Sequence, residues 1–96
     1  MTAFDDLTKD YRVNFLRYLP NADEVALHRA YELGRAAVAS QVSILELAQV
    51  HHAIFLEVLH DTTTEDLTRV ATAASDFFLE VIATYDMAQR SFHDRT

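Results

Sequence analysis

Cysteine is absent from this 96-residue chain, and glycine and proline occur once each. Without cysteine there is no disulfide, no thiol nucleophile and no Cys-ligated zinc. Its absence fits a reducing compartment, so the cytoplasm is the expected location. A nucleophile elbow or a phosphate-binding loop needs several glycines, and Gly34 is the single one here. Sheets with their turns also need more turn residues than this, which leaves an all-α fold. Positive charge is scarce as well. Eight basic residues stand against fifteen acidic ones, for a net charge of −7. The basic residues are scattered from Lys9 to Arg95, so no phosphate backbone has a patch to bind, and no nucleic-acid partner is expected. No basic-then-apolar leader opens the chain, and its apolar runs are too short to cross a bilayer. A membrane partner is not expected either.

Half of the chain is apolar. That is enough for residues 1–96 to form a single domain burying roughly 60–65% of its unfolded surface. The apolar residues recur at helical spacing in four stretches. The first runs from about Phe4 to Leu19, with Leu7, Tyr11, Phe15 and Tyr18 inward. Pro20 ends it, and Asn21 is placed to cap a second helix from about Ala22 to Ser40. Gly34 in mid-helix costs about 1 kcal/mol relative to Ala, which points to a neighbouring backbone or ring in close approach. The third helix, Ser43 to Leu59, carries two apolar rows. One is Ile44, Leu47, Ala48, His51, Ile54, Phe55 and Val58; the other is Leu45, Ala48, His52, Leu56 and Leu59. A belt that wide is expected at the centre of a bundle. Ser43 and Glu46 stand in capping-box register at its start. After the polar run His60 to Thr64, Thr62 with Glu65 or Thr63 with Asp66 opens the last helix.

That helix meets no breaker up to the chain end, for a length of about 30 residues or about 45 Å. Leu67, Ala71, Ala74, Phe78, Val81, Tyr85, Ala88 and Phe92 repeat in steps of four and three, the spacing of a coiled-coil seam. Phe77 widens the seam on one side, and Leu79, Ile82 and Ala83 widen it on the other. The surplus apolar surface predicts a symmetric homodimer through this helix, with Phe78, Val81, Tyr85, Ala88 and Phe92 as dimer or core seam.

Five segments carry a resemblance. They are Tyr31-Glu32-Leu33-Gly34-Arg35, Ser43 to Ala48, Val50-His51-His52, Asp76 to Val81, and Tyr85-Asp86-Met87-Ala88. The chain resembles the N-terminal regulatory domain of RsbU-type serine phosphatases, which control bacterial stress-response sigma factors by partner switching. The resemblance runs from about Tyr11 to Phe92. It implies a dimeric four-helix module without catalysis of its own. Such a module docks a switch-kinase partner of the RsbT type and so activates a PP2C-type phosphatase domain further along a parent chain. A chain ending at Thr96 is then expected to be an excised regulatory domain or a stand-alone relative.

Leu79, Ile82 and Ala83, edged by Ser75 and Asp86, make a small apolar patch with a polar rim, the layout of a protein-binding surface. The patch also falls in the best-matching segment, on a helix the family uses for binding. These five residues are the expected docking site, joined by His28 and Glu24 from the second helix. The competing placement buries Leu79 and Ile82 in the bundle or the dimer seam.

The histidines carry the remaining alternatives. His51 and His52 lie about 100° apart on their helix and do not chelate one metal together. Each falls on an apolar face, where a hydrogen-bonded core histidine is the usual finding. Glu57 and His60 have the Glu-x-x-His spacing of di-iron bundles, but that site needs a second such pair. No metal and no cofactor is expected. A histidine-phosphotransfer bundle, or another two-component helical module, is the rival reading. It would use His28 beside Arg29, although no lysine lies near.

Overall fold

The computed structural model describes residues 2–94, with side chains described through residue 91. It comprises α1 (Ala3–Tyr18), α2 (Glu24–Ala39), α3 (Ile44–His60), a 3₁₀ turn (Thr64–Asp66) and α4 (Leu67–Asp94). No strand occurs among the described residues.

Each helix start has a local cause. Thr2 caps α1 by accepting the Asp5 N–H, and the Asp5 carboxylate accepts the Thr2 N–H in return. Ser43 and Glu46 make the same reciprocal box at α3. α2 begins two residues later than its sequence suggests. Ala22 takes a left-handed backbone with φ 52°, so Asp23, not Asn21, caps the helix by accepting the Ala26 N–H. α2 ends in a Schellman motif. The Val42 N–H donates to the Ala37 carbonyl and the Gln41 N–H to the Val38 carbonyl, with Gln41 left-handed at φ 60°. Val42 is buried behind that turn. Before α4, the Thr63 hydroxyl donates to the Asp66 carboxylate, and no side chain caps the 3₁₀ turn.

The helices alternate in direction. Asp6 and Asn14 of α1 share a cleft with Ser40 and Arg29 of α2, which sets these two antiparallel. α3 returns alongside α1, with Tyr11 beside His51 and Leu16 near Val58. α4 then runs parallel to α2. Ala22 lies near Ala73, Gly34 against Thr84, and Val38 near Ala88. These two parallel helices make the longest contact in the molecule. Small residues allow it, with Ala26, Ala30, Gly34 and Ala37 of α2 all buried.

The core is a cluster of rings. Phe77 is fully enclosed, edge-on to Tyr11 at 5.3 Å and to Phe15 at 5.5 Å between centroids. Edge-to-face pairs of this kind add about 0.5–1.5 kcal/mol each beyond the area they bury. Leu47, Ile54 and Val81 close the cluster from α3 and α4.

Two expectations are corrected. α3 is not the centre of the bundle. Leu47, Val50 and Ile54 are buried, but the row Leu45, His52 and Leu56 lies exposed, because α2 and α4 close on each other directly and leave α3 at the edge. The seam of α4 is also turned by a fraction of a residue, with Ala74, Val81 and Tyr85 kept in it. Phe77, not Phe78, enters the core beside Val70, Ala74, Val81 and Tyr85, while Leu67 is exposed and Phe78 and Ala88 are only partly buried. The cause is Gly34. It draws α4 in along Val81 and Thr84, so the face of α4 that looks at α1 and α2 is centred near Phe77. Phe92 lies outside the described side chains.

Candidate functional site

α4 has two sides once its core face is spent. On the side towards α3, Phe78 stacks flat on His51 with centroids 4.1 Å apart and planes 15° apart. Ala48, His52, Ala53 and Leu56 complete a shallow apolar depression around that pair. His51 is the hydrogen-bonded core histidine expected from the sequence. Its Nδ1 shares a 2.5 Å hydrogen bond with the Tyr11 hydroxyl, the ring tautomer setting which of the two donates. Burial, with a smaller contribution from the charge of His52, lowers the His51 pKa to about 4, and burial pushes the Tyr11 phenol upwards.

On the side away from the core, the predicted docking residues separate. Leu79 is 61% exposed, and Ser75, Ala83 and Asp86 are exposed beside it. Ile82 differs: it is partly buried and packs against the core. Asp86 pairs with Arg90 at 3.2 Å, one helical turn on. From α2, Glu24 and His28 are exposed. His28 stacks on Tyr31, with planes 8° apart, and its Nε2 is 3.7 Å from Glu32. Leu79, Ala83, Asp86 and Ser75 therefore form one surface strip, and Glu24 and His28 form another on the helix parallel to it.

The residues of the predicted seam are divided in the same way. Val81 and Tyr85 are used within the chain, and the Tyr85 hydroxyl donates to the Val42 carbonyl at 2.9 Å. They are core, not dimer contacts. Glu57 is equally spoken for. Arg12 grips it through both terminal nitrogens, which holds the Glu57 carboxyl below its usual range, chiefly by hydrogen bonding. Among the described residues no group of three or more His, Cys, Asp or Glu side chains is arranged to hold a metal. No helix of the described residues is long and apolar enough to cross a membrane.

The sequence put Arg35 on the outer face of α2, where the structure finds it, but did not single out Met87 on α4, which is 57% exposed.

Capped helices, surface ion pairs and two exposed apolar strips define the class here as an all-α helical bundle. Within that class the chain is placed by a family model. Residues 9–88 match the N-terminal domain of the phosphoserine phosphatase RsbU, and the chain belongs to that family. The part matched is the N-terminal domain of that phosphatase, which points to a regulatory role. No curated protein and no solved structure matches the chain.

Proposed function

We propose that this domain is a non-catalytic receiver that docks a switch-kinase protein of the RsbT type on the strip Ser75, Leu79, Ala83 and Asp86. Glu24 and His28 of α2 complete the contact. In a longer parent chain, occupancy of the strip activates a PP2C-type serine phosphatase that acts on an anti-sigma/anti-anti-sigma switch in the cytoplasm. The observation that supports this reading is the exposure of Leu79, a large aliphatic residue ringed by a hydroxyl and a carboxylate. A rim of that kind suits a partner that binds and leaves, since its polar groups stay solvated in the free state.

The second strip suits a permanent contact. Leu45, Ala48, His52 and Leu56 on α3, with Phe78 of α4, carry no formal charge and lie on the open side where α3 meets α4. We assign the homodimer to this face, in place of the α4 seam that the sequence suggested. A phosphotransfer role for His28 is disfavoured by Glu32, whose carboxylate beside the ring would repel an incoming phosphoryl group.

Leu79→Asp tests the proposal. Binding to a purified RsbT-type switch kinase, followed by calorimetry, is lost, while helicity, oligomeric mass and melting temperature stay as in the parent chain. Undiminished binding by the variant overturns the assignment of the strip. Leu56→Asp is the companion experiment: light scattering at micromolar concentration gives half the mass of the unsubstituted chain. A wild-type chain that is monomeric at every concentration removes the dimer.

A further inference from the structure

Five of the six arginines with described side chains have a carboxylate within salt-bridge reach. Arg12 has Glu57, Arg17 has Asp23, Arg29 has Glu32, Arg69 has Asp66 and Arg90 has Asp86. Arg35 has none among the described residues. Its guanidinium carbon instead stands 5.9 Å from the Tyr31 ring centroid, and one terminal nitrogen donates to the Tyr31 hydroxyl at 3.2 Å. The Tyr31 ring is itself stacked on His28, so the one ring that contacts the cation is braced by a second from the same helix.

What Arg35 overlooks is a half-open cleft of about 300 Å³ between α2 and the last turns of α4. Val38 and Ala39 of α2 and Met87 and Ala88 of α4 supply its apolar wall; Tyr31, Thr84 and Ser91 supply hydroxyls. Thr84 spends its proton on the Val81 carbonyl at 3.0 Å, and its hydroxyl is packed against Gly34 at the floor of the cleft. The volume lies at the small end of ligand sites, which begin at roughly 300 Å³.

We propose that this cleft binds a small monocarboxylate with a short apolar tail. The planar guanidinium has its second terminal nitrogen and its Nε–H left over after the bond to Tyr31, the edge that a carboxylate takes in two parallel hydrogen bonds. The tail lies against Val38, Met87 and Ala88. A dianion such as phosphate fits less well: a single guanidinium faces it, and the molecule around it is strongly negative. None of Ser75, Leu79, Ala83 and Asp86 lines the cleft, so this titration and the Leu79→Asp binding test read different residues.

The test is a titration of the isotope-labelled chain with sodium pentanoate at constant ionic strength, followed by amide and methionine-methyl NMR shifts. Saturable shifts are expected at Tyr31, Thr84 and Met87, with a Kd of about 1 mM. Arg35→Gln weakens binding at least tenfold. Ala39→Leu, which fills the wall and leaves Arg35 in place, does the same. Pentan-1-ol and pentylammonium produce no saturable shift at these residues. Shifts that never saturate, that persist unchanged in Arg35→Gln, or that pentan-1-ol reproduces, overturn the assignment.

Discussion

Gly34 and Thr84 occupy space that only one of them can fill with a side chain. A Cβ built on Gly34 would lie 1.9 Å from the Thr84 hydroxyl oxygen, 2.5 Å from the Val81 carbonyl oxygen and 2.8 Å from the Tyr85 nitrogen. Two of these three atoms are backbone and have no rotamer to escape into. The glycine has negative φ, so its value is space and not conformational freedom. It is the point at which two parallel helices approach closely enough to seal the core.

Gly34→Ala therefore destabilises the fold, even though alanine is the better helix former by about 1 kcal/mol. Overpacking of this kind costs about 1–3 kcal/mol net, or more where backbone must move. A loss of about 2–3 kcal/mol lowers the melting temperature by about 10–20 °C in a domain of this size. The double substitution Gly34→Ala with Thr84→Ala recovers only part of the loss, because the Val81 and Tyr85 backbone atoms remain. Thermal melts of the three variants check this, and full recovery would show that the hydroxyl alone sets the spacing.

Acid weakens the domain through His51. Its folded pKa is near 4, below the ordinary value of 6.5, so the unfolded chain takes up the proton first. The contribution is complete above pH 6.5. It is lost as the pH falls towards 4, at no more than about 1.4 kcal/mol per pH unit from this one group. Protonation has no carboxylate to meet: the neighbours are Tyr11, Phe15, Phe55 and Phe78, with His52 beside it in sequence. Urea midpoints measured from pH 7 to 4.5 fall more steeply for the parent chain than for His51→Gln. Parallel curves would remove His51 from the account.

The two adjacent phenylalanines answer differently. Phe77→Ala opens a cavity among Tyr11, Phe15 and Tyr18 and costs about 3–5 kcal/mol. Phe78→Ala costs less in the isolated chain, since its ring is only half-covered, and it weakens self-association if the α3 face is the dimer contact. Denaturant curves at low protein concentration separate the two. Equal costs would put both rings in one core.

Gln41→Gly stabilises. Position 41 holds φ at 60° at the close of α2, where a Schellman turn takes glycine without strain and a β-carbon costs about 1 kcal/mol. An increase in melting temperature of about 4–8 °C per kcal/mol is expected. A decrease would mean that the glutamine side chain supports the turn.

The one-dimensional pattern determined the four helices, the inner face of α1 and the caps at Ser43 and Glu46. Each depends on residues three or four apart, and that distance is visible along a chain. The need for a close neighbour at Gly34 was legible for the same reason: a glycine in mid-helix has a local cost that something must repay. Which neighbour repays it was not legible. Rows of apolar residues on α3 and α4 are wide enough to be buried in several rotations. Choosing among them requires the rest of the bundle. The tertiary structure decided it through one contact, Gly34 on Thr84 and Val81. That contact turned Phe77 inward and left Phe78 half-covered. It also set α3 at the edge, with Leu45 and Leu56 in solvent, and kept Leu79 on the surface. The cleft beneath Arg35 was out of reach for the same reason. It is made by two helices that are neighbours only because small side chains let them meet.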